Sequence, residues 1–335
     1  MSSTAIESQE RKARKRERIP EFRPAKVSVA PLFVWPWRAP TFLKWLFGFP
    51  GYLWPWNALY LGIALITWTW ATPSLEAMKT FEPWWIGAIF LRNLALTLAF
   101  YGLWHFRLYV QRAQGLDFKY NGRWLAKDSN FFLFRSQLLD NMFWTLVSAV
   151  PIWTAWEAVT LWAQANGYAP TITFSAHPIG FTALILFIPL FAEAHFYLVH
   201  RLIHWPPLYR TVHQLHHRNV NPGPWSGLSM HPVEHLLYFS GVLIHWVIPS
   251  NPVHVLFHLQ HRAFAPAVGH NGFDRVKLPN GAWLDADHYI HYLHHKHFEV
   301  NYGDGLVPFD RIFGTFHDGT DEATEAMNRR VLKPR

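Results

Sequence analysis

The sequence contains no cysteine and few charged residues. The absence of cysteine among its 335 residues excludes disulfides and thiolate ligands for a metal ion. Charged side chains make up 16% of the chain, against about 25% in an average soluble domain. Half of the residues are hydrophobic, and many of these form long apolar runs. This composition predicts a membrane protein rather than a soluble one.

The start of the chain is polar and has no apolar run before a cleavage site, so it does not resemble a secretory signal peptide. Its most distinctive feature is a block of like charge, RKARKRER, at Arg11–Arg18. Such a block predicts a disordered, solvated arm that can contact anionic lipid headgroups. No basic fold follows the arm, so we expect no nucleic-acid partner.

Four apolar stretches are long enough to cross a hydrocarbon core of about 30 Å. They lie near Gly51–Ala71, Trp84–Tyr109, Met142–Ala163 and Ile179–Val199. Before the first stretch, the segment VWPWRAPTFLKWLFGF mixes Trp and Phe with Pro, Arg and Lys. This mixture is typical of a segment at the level of the lipid headgroups. We predict an all-α, polytopic membrane protein with about four spans, and at most six.

Basic residues alternate between the connections. The link 111–140 carries five Lys or Arg residues, whereas the links 72–83 and 164–177 carry one Lys between them. By the positive-inside rule, the N-terminus, the 111–140 link and the chain after His200 are predicted to be cytosolic.

A further apolar region, 234–268, is interrupted by Pro249 and Pro252. We interpret it as a re-entrant or interfacial helical hairpin that returns to the cytosolic side, and two further full crossings are the alternative. The predicted organisation is a basic arm (1–30), an interfacial segment with the first two spans and a cytosolic link (31–136), a histidine-rich domain (137–317) and a polar tail (318–335).

Twenty of the 21 histidines lie after residue 170. HRLIH places two of them one helical turn apart, and HQLHH and HYLHH each place three on one helical face. At a histidine frequency of about 0.06, one HxxHH is expected about 0.08 times in such a chain, so composition does not explain two copies. The eight residues are His200, His204, His213, His216, His217, His291, His294 and His295.

Eight imidazoles exceed the four ligands of a structural zinc site and suffice for two metal ions. Two neighbouring irons can reduce O2 and attack an unactivated C–H bond, as in carboxylate-rich di-iron bundles. Here the i, i+3 and i+4 positions hold no carboxylate, so the site would be dominated by histidine. Two alternatives are a membrane protein that binds or transports metal without redox chemistry and a bis-histidine haem protein. Both need ligands within the spans, whereas these clusters lie beyond the span ends.

These motifs resemble the fatty acid hydroxylase/sterol desaturase superfamily of membrane di-iron enzymes. The resemblance covers roughly Gln137–His317 and rests on HRLIHWPPLYRTVHQLHH, MHPVEH, GHNG, HYLHH and NYGDGLVPFDRIFGT. HPVEH and GHNG favour the sterol desaturase-like branch. The resemblance implies membrane helices capped by a cytosolic helical domain that holds two non-haem irons. It also implies an enzyme that uses O2 and external electrons to hydroxylate or desaturate a lipid C–H bond.

By position, the resemblance implies that the eight histidines and His270 are metal ligands. His270 stands in GHNG, where relatives usually have Ser-Gly after the histidine, so Asn271 departs from the pattern. His231, Glu234 and His288 are candidates for an additional ligand or an orienting partner. Carboxylates near the motifs that could orient the rings are Glu193, Glu234, Asp285, Asp287, Glu299 and Asp310.

The other polar residues of the apolar regions are predicted to be structural. Arg92 and Glu157 lie inside spans and are expected to pair with each other. His297 and His317 are expected to be solvated. Hydrogen-bonded structural roles are expected for His235, His245, His254, His258 and His261.

Two partners follow from this interpretation. The substrate is expected to be a lipid that enters from the bilayer. Because the chain has no haem-binding or flavin motif, a separate cytochrome b5- or ferredoxin-type donor would supply the electrons.

Overall fold

The computed structural model describes residues 20–331, apart from 26, 28 and 287, and this part of the chain is almost entirely helical. The all-α prediction is therefore confirmed. The basic block Arg11–Arg18 and the candidate Asp287 lie outside the described residues. The α-helices, numbered in chain order, are α1 Ala39–Phe47, α2 Ala58–Trp70, α3 Pro83–His105, α4 Gln137–Trp144, α5 Val150–Ala165, α6 Pro178–Ile203, α7 Pro206–Leu208, α8 Gln214–His217, α9 Pro232–Phe239, α10 Pro252–Gly269, α11 Tyr289–His297, α12 Phe309–Ile312 and α13 Asp321–Val331.

One small β-hairpin interrupts the helices and was not predicted. Its strands β1 (Arg275–Lys277) and β2 (Trp283–Asp285) are antiparallel, with Val276 opposite Leu284. Shorter 3₁₀ and π turns join many of the helices.

Three continuous helices among the described residues are long and apolar enough to cross a membrane. They are Pro83–Val110, which is α3 with a following π turn, Gln137–Ala165, which is α4 and α5 joined by a π turn, and Pro178–Ile203, which is α6. They correspond to the second, third and fourth predicted spans. The chain is thus an integral membrane protein.

The first predicted span, Gly51–Ala71, is not confirmed as a full crossing. Its α-helical part, α2, has 13 residues, which corresponds to about 20 Å of helix and is short of a hydrocarbon core of about 30 Å. Before α2, the π turn Leu53–Asn57 contains Pro55, and Trp54 has non-helical dihedral angles. The apolar run is therefore long enough in sequence, but only part of it forms a regular helix.

The region 234–268 forms a helical hairpin of α9, the 3₁₀ helix Ser240–Trp246 and α10. At its turn, Ser250 accepts a hydrogen bond from Ile172 N and donates one to Pro170 O. The turn therefore contacts the link 164–177, while the other end of α10 leads into His270. The hairpin extends through the helical bundle and returns to the histidine-rich end.

Helix α10 is the central helix of the bundle. It packs against α2, α3, α5 and α6, and 15 of its 18 residues are buried. The 3₁₀ helix Pro224–Leu228 also packs on it. The two backbones lie so close at Gly227 that a Cβ there would lie 2.5 Å from Pro266 O. Most of α10 therefore faces protein rather than lipid.

The charged pair predicted inside the spans is present. Arg92 on α3 forms an ion pair with Glu157 on α5, and both side chains are buried. Asn93 Nδ2 donates a hydrogen bond of 3.1 Å to the second Glu157 oxygen. The buried carboxylate thus has two partners from one neighbouring helix.

Candidate metal centre

The histidine motifs meet at one end of the bundle. His200 lies in the last turn of α6, and this helix ends just before the sequence WPP. The second motif follows in the π turn Tyr209–His213 and in α8. The third lies on α11, and His270 follows the end of α10. Four separate segments of the chain therefore contribute imidazoles to one place.

The nine histidines predicted as ligands divide into two groups, each suited to hold a metal ion. Within each group, one nitrogen from every residue lies within 4.8 Å of those from the others. The five-histidine group is His200, His204, His213, His217 and His294. The four-histidine group is His216, His270, His291 and His295.

Each HxxHH motif contributes to both groups. In the second motif, His213 and His217 belong to the five-histidine group, and His216 belongs to the four-histidine group. The third motif has the opposite arrangement, because His294 joins the five-histidine group while its neighbours at i and i+4 join the other. Positions i and i+4 point nearly the same way from a helix, whereas i+3 lies about 100° from i+4. The spacing thus serves two sites, not the single face that the sequence predicted.

Nε2 atoms converge in both groups. The Nε2 atom of His294 lies 3.2 Å from that of His204 and 3.1 Å from that of His217. In the other group, the Nε2 atom of His270 lies 2.9 Å from that of His291 and 3.0 Å from that of His295. Nitrogens bound to one ion at about 2.0–2.1 Å would be about 3.0 Å apart at right angles and about 3.4 Å apart in a tetrahedron. The observed spacings match those of ligands around a shared ion.

The opposite ring nitrogens fix the tautomer of four histidines. Nδ1 faces a backbone carbonyl in His200 (Tyr302 O, 2.6 Å), His294 (Val300 O, 2.6 Å), His216 (Ser229 O, 3.3 Å) and His270 (Pro266 O, 3.0 Å). A carbonyl oxygen only accepts, so in the neutral ring Nδ1 carries the proton and Nε2 a lone pair. The lone pairs of His216 and His270 thus face each other at 3.4 Å. A cation held between His216 and His270 would replace this repulsion by coordination.

Comparison with known proteins agrees with this geometry. Residues 185–315 match the sequence model of the fatty acid hydroxylase family. This match, together with the sterol desaturases described below, supports a relationship of this part of the chain to the fatty acid hydroxylase/sterol desaturase superfamily. All nine histidines of the two groups fall within the matched residues.

Similar proteins include Delta(7)-sterol 5(6)-desaturases of three fungi. The protein of Eremothecium gossypii is 28% identical over 142 residues, which cover 41% of this chain and 38% of the relative. That of Candida glabrata is 26% identical over 202 residues, covering 56% and 52%, and that of Saccharomyces cerevisiae is 28% identical over 185 residues, covering 52% and 48%. The chain thus spans about half or less of the length of these curated relatives. No solved structure matches the chain significantly.

Three carboxylates approach the histidines, or the loop that faces them, from outside the two groups. Glu234 Oε1 lies 2.8 Å from His213 Nδ1. Asp304, which sequence reasoning missed, lies 3.1 Å from His291 Nδ1. Asp310 accepts hydrogen bonds from Tyr302 N (2.9 Å) and Gly303 N (2.8 Å). It thereby holds the loop whose carbonyl faces His200.

The remaining carboxylate candidates have other partners. Glu193 Oε1 accepts hydrogen bonds from Asp304 N and Gly305 N. Glu299 accepts one from the Tyr302 hydroxyl, and Asp285 pairs with Arg275 on the β-hairpin. None of these three contacts an imidazole of the two groups through a hydrogen bond among the described residues.

Of the two candidate additional ligands that are histidines, neither joins a group. His231 is the N-cap residue just before α9, and its Nδ1 accepts a hydrogen bond from Val233 N. His288 lines the cavity described below. Among the histidines expected to be solvated, His317 is buried and its Nδ1 accepts a hydrogen bond from Gly319 N, so that prediction is wrong. His297 is half-buried against the His317 ring.

The histidines predicted to be structural lie apart from the two groups. His235 contacts Ser148 Oγ and Leu228 O. His245 and His258 contact each other, and His254 contacts Phe181 O, as expected for hydrogen-bonded rings. The ring of His261 instead stands edge-on to Tyr60, and its Nδ1 has no hydrogen-bond partner among the described residues.

Burial keeps His213, His216, His270 and His295 neutral. It lowers the pKa of His216 to about 3. Burial, followed by repulsion from neighbouring imidazoles, places the pKa values of His213, His270 and His295 well below the usual value. Neutral imidazole is the form that binds a metal ion. Burial also raises the pKa of Glu234, a rise that a nearby cation would oppose.

A cavity of about 180 Å³ adjoins the histidines. Its walls include Trp56 and Tyr60 from the region of α2, Pro189 on α6, and two buried polar residues, Glu193 and Arg262. Five imidazoles of the two groups reach it, so a molecule in the cavity would contact both groups. They are His200, His213, His216, His270 and His291.

Proposed function

We propose that the protein is a membrane-bound di-iron oxygenase that uses O2 and external electrons to hydroxylate or desaturate a C–H bond of a lipid. The observation that carries this proposal is the convergence of Nε2 atoms in two adjacent groups that open on one cavity. Metal binding alone would explain the groups. The shared cavity, together with the superfamily, supports chemistry on a bound molecule.

Two iron ions are the proposed cofactors. Five imidazoles in one group exceed the four ligands of tetrahedral zinc, and imidazole also suits iron. When bound, such an iron pair supplies the reduction of O2 and the cleavage of a C–H bond, which side chains alone do not perform. The nine histidines would hold it, with Glu234 and the loop carbonyls orienting their rings.

The lipid is proposed to be sterol-like or a fatty acyl chain. The relatives that the chain resembles are named as sterol desaturases. The cavity walls provide apolar surface through Trp56, Tyr60 and Phe196, which would hold a hydrocarbon skeleton and exclude water near the histidines. Because Trp56 belongs to the turn before α2, we place the entry of the lipid from the bilayer at that turn.

The histidine-rich end is proposed to be cytosolic. The ends of the three spans that the positive-inside rule places in the cytosol are also those that meet this end. For example, Gln137 at the start of α4 bonds to Asn219, two residues after His217. Electrons would come from a separate cytochrome b5- or ferredoxin-type protein on that side.

Lipid oxidation with isotopic oxygen tests the proposal. The full chain, loaded with ferrous iron in vesicles of a cellular lipid extract, is supplied with 18O2, a ferredoxin, its reductase and NADPH as the source of electrons. We expect products that carry 18O in a new hydroxyl group or that have lost two hydrogens. The variant His294→Ala should form neither, whereas His297→Ala on the same helix should remain active.

Two outcomes would contradict the proposal. A wild-type protein with bound iron that changes no lipid would remove the oxygenase assignment. Transport of iron ions across the vesicle membrane without lipid oxidation would instead identify a metal-transporting protein.

A further inference from the structure

Arg262 lies on the central helix α10 and lines the cavity beside the histidines. Its side chain is 4% exposed. The guanidinium carbon lies 4.0 Å from the centre of the Tyr238 ring and 5.0 Å from that of Phe196. Nε and Nη2 have no hydrogen-bond partner among the described residues. A buried donor without a partner is costly, and more so when it is charged.

Two carboxylates line the same cavity but do not neutralise this charge by direct contact. Glu193 and Asp304 both border the space that Arg262 borders. Glu193 Oε1 is directed to the backbone N–H groups of residues 304 and 305. Within the described part of the chain, no ion pair joins Arg262 to either carboxylate. The guanidinium donors of Arg262 and the two carboxylates thus border the same cavity but form no ion pair with each other.

The arginine is close to the proposed metal centre. The Phe196 ring, which the guanidinium covers, lies 4.8 Å from the His200 ring and 6.3 Å from the His291 ring. One aromatic side chain therefore separates the guanidinium from imidazoles of both groups. If one group of a molecule were bound at Arg262, a carbon only a few bonds from that group would lie next to the histidines.

We propose that Arg262 and Glu193 bind a hydroxyl group on the lipid substrate and so determine which carbon is oxidised. This inference rests on the proposed function, because it assigns the substrate class of that site. A hydroxyl accepts from the guanidinium and donates to a carboxylate with the same oxygen atom. It also brings no charge into the bundle, whereas a substrate carboxylate would face both Glu193 and Asp304.

Paired lipids that differ only in the hydroxyl test this binding site. The full chain is purified in detergent, and its thermal unfolding midpoint is titrated with cholesterol, cholestane, 1-octadecanol, octadecane and stearate. At least one alcohol should stabilise the wild type at about tenfold lower concentration than its hydrocarbon partner, as expected for one hydrogen bond to a charged group. Arg262→Met should abolish this preference, and Arg262→Lys should retain part of it. Arg275→Met, an exposed arginine on β1, is the matched control and should keep it.

Three results would overturn the proposal: no alcohol preferred over its hydrocarbon, a preference that persists in Arg262→Met, or tighter binding of stearate than of either alcohol. The comparison of each alcohol with its hydrocarbon is made on the wild type alone. It therefore tests the proposal even if Arg262→Met does not fold. Iron content is measured on the same samples. Normal iron without an alcohol preference rejects this inference alone, while an alcohol preference in a protein that binds no iron rejects the di-iron proposal instead.

Discussion

Glu234 Oε1 lies 2.8 Å from His213 Nδ1, and the two side chains are 3% and 1% exposed. The contact joins α9 to the π turn before α8. A carboxylate at this position fixes the orientation of the ring and increases the basicity of the opposite nitrogen, which belongs to the five-histidine group.

Removing this carboxylate should weaken iron binding. We expect Glu234→Leu to lower the affinity of the five-histidine group by about 10–100-fold, the usual effect of losing such a partner. Glu234→Gln should lose less, because its amide oxygen still accepts a hydrogen bond. Titration with ferrous iron measures the effect, and His231→Ala, at the start of the same helix, is the control. Wild-type affinity in Glu234→Leu would show that the contact has no such role.

The two groups should lose metal separately. His216→Ala removes a member of the four-histidine group, and His294→Ala removes one whose Nε2 contacts two others in the five-histidine group. Each variant should reduce iron from about two per chain toward one, since a ligand group with fewer donors binds more weakly. Elemental analysis of purified protein gives the stoichiometry, with His297→Ala as the control. Loss of both irons in both variants would mean a single, indivisible site.

Acid should destabilise the metal-free protein. Burial lowers the pKa of His216 to about 3 and those of His213, His270 and His295 well below about 6.5, the value in the unfolded chain. Below that pH, the unfolded chain takes up protons that the folded chain does not. Their contribution to stability is therefore complete above pH 6.5 and falls with acidification by up to about 1.4 kcal/mol per pH unit for each histidine.

Thermal unfolding in detergent between pH 7.5 and 5.5 tests this dependence. The midpoint should fall steadily with acidification, and His216→Gln should make the slope shallower. A midpoint that is constant or rises in acid would show that these rings are not neutral in the fold.

Breaking the pair between α3 and α5 should destabilise the bundle without affecting the metal centre. Arg92→Met leaves Glu157 buried without its cation, at a cost of about 3–5 kcal/mol. The double variant Arg92→Met/Glu157→Gln should recover much of this loss. Unfolding in denaturing detergent measures the stability of both. Arg92 contacts Thr72, on the link opposite the histidines, so the pair lies away from the metal centre. Reduced iron content in the folded fraction of Arg92→Met would contradict this separation.

The ligand candidates could be predicted from the sequence because the number of residues between two histidines determines on which side of a helix each side chain projects. His213, His216 and His217 needed only one turn of local structure to be placed together. Their division between two groups could not be predicted, since it depends on how α8 and α11 face each other. Asp304 and the carbonyls of Val300 and Tyr302 were also missed, because they come from a loop that follows α11 and leave no pattern of their own.

The hairpin and the first apolar run show a different limit of sequence reasoning. Hydropathy measures suitability for lipid, but α10 is surrounded by protein and contains His258, Gln260 and Arg262. A central helix can therefore extend through the bundle although its apolar run is interrupted by polar residues. Conversely, the run at Gly51–Ala71 is apolar enough to suggest a span, although Pro55 limits its regular helix.

The composition of α10 also has a consequence for biogenesis. Alone in a bilayer, a helix carrying Arg262 would be penalised by several kcal/mol. The helices that surround it, α2, α3, α5 and α6, all precede it in the chain. Co-translational insertion would thus deliver the enclosing helices first, and α10 would enter a prepared protein environment instead of partitioning into lipid unaided. On this view, the order of synthesis is itself part of what allows a polar helix to occupy the middle of a membrane protein.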